Sequence, residues 1–234
     1  MGRSFYAPGL ERAIHVRRLF ERIAPRYDLI NDLQSFGLHR LWKRRLLSIV
    51  SPRAGELALD LCCGTGDIAL ALSARGARVI GLDFTEGMLR LAAARQKDSQ
   101  MELVRADALK TPFRAEIFDL VTVGYGLRNL ADLEAGLTEL LRVLKPGGRL
   151  AILDFGKPEI ALWRRIYFTY LRWMVPLFGQ VFCGDRATHA YILESLRDYP
   201  AQLGIDLTFR EMGCRNAEVH NLLGGMMSIN YAVK

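Results

Sequence analysis

The chain has 234 residues, half of them apolar and 24% charged, which matches one globular domain, or one domain with a lid, and excludes a disordered chain. Its cysteines, Cys62, Cys63, Cys183 and Cys214, lack the paired spacing of a zinc site or a disulfide framework, and the first residues carry Arg3, Glu11, Arg12, Arg17 and Arg18 with no apolar core, so neither a signal peptide nor a membrane span is expected there. The net charge of +7 belongs to residues 1–53, with eleven Lys and Arg against four Asp and Glu, while residues 54–234 hold twenty-one of each; such an arm suits nucleic acid, an anionic membrane or an acidic cofactor, or is a solvated helix face.

In chain order, residues 11–24 and 38–50 have helical period and are placed outside any sheet. From Leu57 onward short apolar runs alternate with helical segments, the pattern of a mostly parallel, doubly wound sheet. Strands are expected at 57–62, 78–83, 101–105, 118–124 and 148–155, in five consecutive strand–helix units. The helices between them are Gly66–Arg75, Thr85–Gln96 and Asp132–Leu144, with Thr85 and Asp132 as N-caps and Lys145-Pro146-Gly147-Gly148 as a stop and turn. An aromatic and basic stretch follows to Phe182, interrupted as a helix by Pro176; then come a helix near 187–197 and strands near 214–220 and 226–233.

The first motif, Leu59-Asp60-Leu61-Cys62-Cys63-Gly64-Thr65-Gly66-Asp67, is a buried strand running into two glycines and a helix. Glycine serves where backbone approaches a ligand that a Cβ would displace. Read through Ala69, the run also resembles a dinucleotide fingerprint, which seats a pyrophosphate at the helix N-terminus. Asp60 discriminates: a carboxylate there suits a ligand bearing an ammonium and opposes a pyrophosphate, which favours S-adenosylmethionine over NAD. Asp83 closes the second strand, where it can accept both ribose hydroxyls, and Asp107-Ala108 follows the third, where a carboxylate can meet the adenine amino group.

Three groups of residues carry a resemblance. Phe20-Glu21-Arg22-Ile23-Ala24-Pro25-Arg26-Tyr27-Asp28-Leu29-Ile30-Asn31 precedes Ser35-Phe36-Gly37-Leu38-His39-Arg40-Leu41-Trp42-Lys43; Gly126-Leu127-Arg128-Asn129 and Leu153-Asp154-Phe155-Gly156-Lys157-Pro158 come later; Tyr191, Leu193, Ser195 and Gly224-Gly225 lie near the end. Together they resemble the quinone-biosynthesis C-methyltransferases of the UbiE/MenG/COQ family over nearly the whole chain. The resemblance implies a class I S-adenosylmethionine-dependent methyltransferase, α/β and Rossmann-like, with an antiparallel end to its sheet. It implies a helical cap over 1–53 and a body over 54–234 with a lid insertion near 157–200. Asp60, Gly64, Thr65, Gly66, Asp83, Asp107 and Ala108 are expected to hold S-adenosyl-L-methionine. Gly124 stands where some members carry a cofactor-contacting serine, so a hydroxyl is absent there, while its backbone is expected to pack against the cofactor.

The implied reaction is C-methylation of a demethylmenaquinol to menaquinol, the alternative being the methoxy-benzoquinol step of ubiquinone synthesis, or both. No metal is needed: in-line geometry and an acid–base group suffice. Arg128, Tyr125 and His220 are the catalytic candidates, with Asp154 behind them; arginine is a poor base, so Arg128 is expected to hold a water or stabilise a quinolate. The partners are a polyprenylated quinol and, peripherally, the inner face of the cell membrane, reached from the cytoplasm through the basic arm and through Trp163, Tyr167, Phe168, Tyr170, Trp173, Phe178 and Phe182 with Arg164, Arg165 and Arg172. No nucleic acid is expected, because the arm's aromatics, including Phe5 and Tyr6, are spread on helical periods rather than grouped for stacking. A homo-oligomer stays open.

Overall fold

The computed structural model describes residues 9–96, 101–183 and 187–234. Seven strands form one sheet in the order β3-β2-β1-β4-β5-β7-β6. They are β1 (Leu57–Leu61), β2 (Arg78–Asp83), β3 (Met101–Arg105), β4 (Phe118–Gly124), β5 (Leu144–Phe155), β6 (Arg215–Leu222) and β7 (Met227–Val233). β1 to β5 pair in parallel, and β7 runs antiparallel to both β5 and β6.

Alternation along the central strands feeds two cores. Leu59, Leu61, Val121, Val123, Leu150 and Ile152 face one apolar cluster, and Ala58, Leu120, Ala151 and Leu153 face the other. Because both faces are covered, these strands read as continuous apolar runs. Each large side chain so buried contributes about 1.5–3 kcal/mol of transfer free energy.

Helices α1 (Leu10–Ile23), α2 (Tyr27–Ser35) and α3 (Leu38–Val50) precede the sheet; α4 (Asp67–Ser73), α5 (Glu86–Arg95) and α6 (Leu133–Val143) cross between strands; α7 (Ala161–Cys183), α8 (Ala187–Asp198) and α9 (Ala201–Glu211) link β5 to β6. α3 belongs to the core, since its Leu46, Leu47 and Val50 are buried against the sheet.

Four sequence expectations change. β3 joins β4 through 106–117 with no helix, so the five strand–helix units are interrupted there. The Lys145–Gly148 run is not a free turn: Gly147 N–H donates to the Lys234 carbonyl at 2.8 Å and Lys234 N–H to that of Gly148 at 3.0 Å, which extends β5 back to Leu144 around an irregularity in its pairing with β4. Pro176 lies inside α7 without ending it; one lost N–H is tolerable where Tyr167, Leu171 and Val175 anchor the helix in the core. The segments that became α2 and α9 were given no element by the sequence.

Of the two expected N-caps, Asp132 accepts from Ala135 N–H at 3.0 Å. Thr85 makes no side-chain cap. Instead Glu21 of α1 reaches across and accepts from Glu86 N–H at 3.0 Å and Gly87 N–H at 3.2 Å. A helix start leaves such donors orphaned, and a carboxylate also complements the helix dipole, so this contact ties α1 to the body. Glu21→Ala is expected to lower stability by about 1–2 kcal/mol in urea unfolding, while the Asp132→Ala loss of about 1 kcal/mol leaves α1 in place.

Candidate active site

The strand order reverses between β1 and β4, and ligands of open α/β sheets bind at such a switch point, beyond the carboxyl ends of the strands. A cavity of about 750 Å³ opens there, lined by Cys62 and Gly64 after β1, Asp83 and Phe84 after β2, Asp107 and Ala108 after β3, Gly124, Tyr125 and Gly126 after β4, and Val16, Phe20 and Tyr27 of the arm. A second cavity of about 840 Å³ adjoins it, lined by Ile30, Ser35, His39 and Trp42 of α2 and α3, Tyr167, Tyr170, Leu171 and Val175 of α7, and Arg128 and Phe155. A small chamber lies among Lys43, Asp60, Gly64, Thr65 and Asp67. Tyr27 and Tyr125 border all three.

Asp83 is held rigidly. Its two carboxylate oxygens accept from Gly64 N–H and Thr85 N–H, both at 2.9 Å, and it borders the first cavity. Burial pushes its carboxyl above the usual range. Asp107 accepts from Leu109 N–H at 2.9 Å, and Ala108 is buried beside it. Met88, Phe84, Leu109 and Leu130 give the rest of this cavity an apolar wall suited to a flat ring.

Asp60 lies beneath the small chamber. One oxygen accepts from the Thr122 hydroxyl at 2.8 Å and the other from Ala69 N–H at 3.1 Å. It thus pins α4 to β4 from beneath the small chamber, and burial raises its pKa to about 7. Gly66 does not line the cavities described above; at φ +85° it starts α4, and a Cβ would stand 3.2 Å from Ala92 Cβ, so helix packing demands it. Thr65 donates to Asp28 at 2.8 Å, which turns its hydroxyl toward the arm. At Gly124 a Cβ would come within 2.4 Å of Ile68 Cδ1, so this glycine lets α4 pass close to β4.

After β4 the chain turns through Tyr125, at φ +61° in the region that non-glycine residues rarely occupy. The turn is over-determined. Arg128 donates to the Tyr125 carbonyl at 2.8 Å and to Asp154 at 2.6 Å, and its guanidinium stacks 4.4 Å from the Phe155 ring centre. Asn129 Nδ2 donates to the same carbonyl at 3.2 Å. The Tyr125 hydroxyl is buried without a hydrogen-bond partner, and burial raises its pKa well above the ordinary value. A polar group of that kind at the junction of three cavities is a ready contact for a ligand.

His220 is not brought to this place: it is on the outermost strand β6, 3.3 Å from Glu218, and lines none of the cavities described. Trp163 is tied to the β6–β7 turn by its indole N–H, which donates to the Leu223 carbonyl at 2.8 Å. Phe5 and Tyr6 lie outside the described residues, and Phe178, Phe182 and Tyr191 outside the described side chains. Among the described residues no cluster of His, Cys, Asp and Glu could hold a metal ion.

Sequence reasoning gave no role to Tyr27, His39, Lys43, Asp67 or Arg95. Asp67 pairs with Lys43 and Arg95, and Arg95 also donates to Asp28 at 3.2 Å and to the Thr65 carbonyl at 3.1 Å. Burial alone would raise the Asp67 carboxyl; the two cations bring it down to about 2. Tyr27, His39, Lys43 and Asp67 stand inside the quoted motifs, but their pairing was not legible there, because the partners come from α2, α3, α4 and α5 and meet only on folding.

The match to known proteins is extensive. The family model described as the ubiE/COQ5 methyltransferase family covers residues 10–234. Demethylmenaquinone methyltransferase of Bacillus subtilis is 37% identical over 225 residues, covering 94% of this chain and 97% of that protein. The protein of the same name from Desulfitobacterium hafniense is 37% identical over 228 residues, covering 94% and 90%. Among solved structures, a SAM-dependent methyltransferase from Aquifex aeolicus, 19% identical, shares the fold at a TM-score of 0.61 over 88% of this chain and 97% of that one. One from Thermotoga maritima, also 19% identical, does so at 0.67 over 93% and 99%. The sheet is thus that of a class I methyltransferase.

The folded chain holds the Asp60 proton up to about pH 7, while an unfolded carboxyl near 3.8 has released it. Between those values the folded state binds more protons, so stability falls as pH rises through the window. Asp60→Asn is expected to lose this fall: the melting temperature of wild type relative to the variant declines from about pH 4 to 7 and is flat above, as differential scanning calorimetry across pH can read.

Proposed function

Because the chain belongs to the ubiE/COQ5 methyltransferase family, we propose that it moves the methyl group of S-adenosylmethionine onto a ring carbon of a demethylmenaquinol. The observation that carries this reading is the meeting of two cavities at Tyr27 and Tyr125: one carries fixed carboxylates, the other is large and aromatic. The relatives reported are named for demethylmenaquinone, which favours the naphthoquinol over the methoxy-benzoquinol alternative.

Bound in the first cavity, S-adenosylmethionine supplies an electrophilic methyl group. Asp83 accepts its ribose hydroxyls, and Asp107 with Ala108 faces the adenine. Gly64 and Thr65 flank the methionine end, where Asp67 offers charge to an ammonium and Lys43 to a carboxylate. Asp60 acts from behind, by fixing α4. Gly124 and Tyr125 separate this cavity from the next. Arg128 lines the quinol cavity and keeps its charge at any working pH, so it stabilises a developing quinolate while holding the Tyr125 turn.

Helices α1, α2 and α3 are read as a cap, and α7 with α8 as a lid. α7 also supports a peripheral membrane role. Tyr167, Leu171 and Val175 face inward, whereas Leu162, Ile166, Trp173 and Leu177, within about 60° of one another at 100° per residue, are exposed. Arg165 and Arg172, both exposed, flank that stripe. An apolar ridge edged with cations suits an anionic bilayer, from which a polyprenyl tail must be taken. No described helix is long and apolar enough to cross a membrane.

The reaction is tested with isotopically labelled S-adenosylmethionine and a short-tailed demethylnaphthoquinol kept reduced. Transfer of one methyl to the ring is expected; label on oxygen, or none, overturns the reading. Asp83→Ala should weaken cofactor binding roughly ten- to a hundredfold in calorimetry, the usual effect of losing a charge-assisted hydrogen bond. Sedimentation with anionic liposomes is expected to be salt-sensitive and to drop on replacing Trp173 with Ser together with Arg165 and Arg172 with Glu. Indifference of the wild type to anionic liposomes at low salt would remove the membrane role.

A further inference from the structure

We propose that His39 is the catalytic base for the quinol hydroxyl, taking its proton on Nε2; this rests on the second cavity being the quinol site. His39 is buried at the start of α3 and lines that cavity beside Arg128, Tyr125 and Trp42.

Its tautomer follows from its neighbours. Ser35 Oγ donates to the Asn31 carbonyl at 2.6 Å, so its own hydrogen is committed. The same oxygen stands 3.0 Å from His39 Nδ1 and must accept there. Nδ1 therefore carries the ring hydrogen, and Nε2 keeps its lone pair. Asp32 Oδ1 is 3.6 Å from Nε2, too far for a hydrogen bond yet near enough to favour the imidazolium once it forms. Arg40 holds Asp32 in that place by two bonds, at 3.0 and 2.7 Å.

The charged surroundings keep the resting ring neutral. Burial and the Lys43 ammonium lower its pKa, against smaller raising effects of the Asn31 carbonyl, Asp32 and, from α4, Asp67. The other titratable groups on the cavity wall are poor proton acceptors. Tyr125, Tyr167 and Tyr170 are pushed up by burial and stay protonated, Tyr27 is a phenol too, and Arg128 is a permanent cation paired with Asp154. The arrangement repeats the logic of a base oriented through one nitrogen and used through the other.

The step balances. The quinol O–H bond breaks, with its proton going to Nε2 and its electron pair staying on oxygen. That pair, delocalised into the ring, forms the new carbon–carbon bond to the methyl, and the pair of the methyl–sulfur bond stays on sulfur. The ring carbon then loses its hydrogen to water, the imidazolium returns its proton to oxygen, and one proton is released overall.

The test uses the full chain and a short-tailed demethylnaphthoquinol. His39→Asn keeps a donor to Ser35 but has no nitrogen lone pair. It is expected to lower kcat by about 10² to 10⁴, the usual share of a general base, with cofactor affinity and melting temperature unchanged. Wild-type kcat/KM should fall on the acid side with a midpoint below 6.5, and the variant should lack that limb. A quinol made acidic by halogen substituents, already ionised at assay pH, should recover most of the lost rate. Independently of turnover, ¹⁵N spectra of histidine-labelled wild type should show His39 protonated on Nδ1. A variant with full kcat, an unchanged acid limb, equal losses on the ionised quinol, or an Nε2–H tautomer in the wild type overturns the proposal. If the wild type methylates no quinol, the substrate reading fails and takes this proposal with it; failure of the variant experiment alone leaves that reading intact.

Discussion

The active-site cavities exist because a basic helical arm is held against the turn after β1. The hold is electrostatic at its centre: Asp28 binds Thr65 and Arg95, and Arg95 and Lys43 share Asp67. Without it α2 would have no fixed position over Gly64, and the shared wall at Tyr27 would be lost. Most of these charges are partly exposed, so single pairs contribute little, up to about 1 kcal/mol each. The network's value is geometric. It sets where the arm lies, while Ile23, Ala24 and Ile30 packed on Met88 supply the apolar contact that keeps it there.

The second fixed point is the turn after β4. A tyrosine at positive φ is held by the buried pair of Arg128 and Asp154, both nearly inaccessible to solvent. Removing one partner of such a pair strands a charge, which commonly costs about 3–5 kcal/mol. Arg128 is therefore structural as well as lining the second cavity, and the two roles are one device: the guanidinium that braces the turn also presents positive charge to the cavity. Cys62 makes the packing tight from the other side, since a Cβ on Gly126 would fall 2.4 Å from its own.

The parallel strands and their crossing helices were legible because their signals are local. Alternating apolar runs, the Gly64-Thr65-Gly66 turn, and Asp83 and Asp107 after their strands need only a few neighbouring residues to be read. α2 escaped although it is amphipathic, because it is only nine residues long and starts directly after the turn that holds Pro25, where the helix expected over 11–24 ends. α9 had a readable one, Ala201, Ile205 and Phe209 after Pro200, all buried. The two glycines are used differently: at Gly66 the space a Cβ would take belongs to Ala92 of α5, whereas Gly124 borders the first cavity as well as packing against Ile68, and sequence alone does not separate a close helix from a close ligand.

By itself the sequence determined the α/β class, the order of the seven strands along the chain and, through its motifs, the family, because hydrophobic period and turn chemistry act over a few residues. Only the tertiary structure decided which carboxylates face a cavity and which are consumed in the scaffold. Asp83 and Asp60 each accept one hydrogen bond per oxygen, but Asp83 borders the first cavity, whereas Asp60 is buried deeper, tying Thr122 to Ala69 beneath the small chamber. It also withdrew His220 to the sheet edge and brought His39 to the wall of the second cavity. The physical reason is distance along the chain. A side chain's hydrogen-bond partners and burial are set by segments dozens of residues away, and those meet only when the arm closes on the sheet.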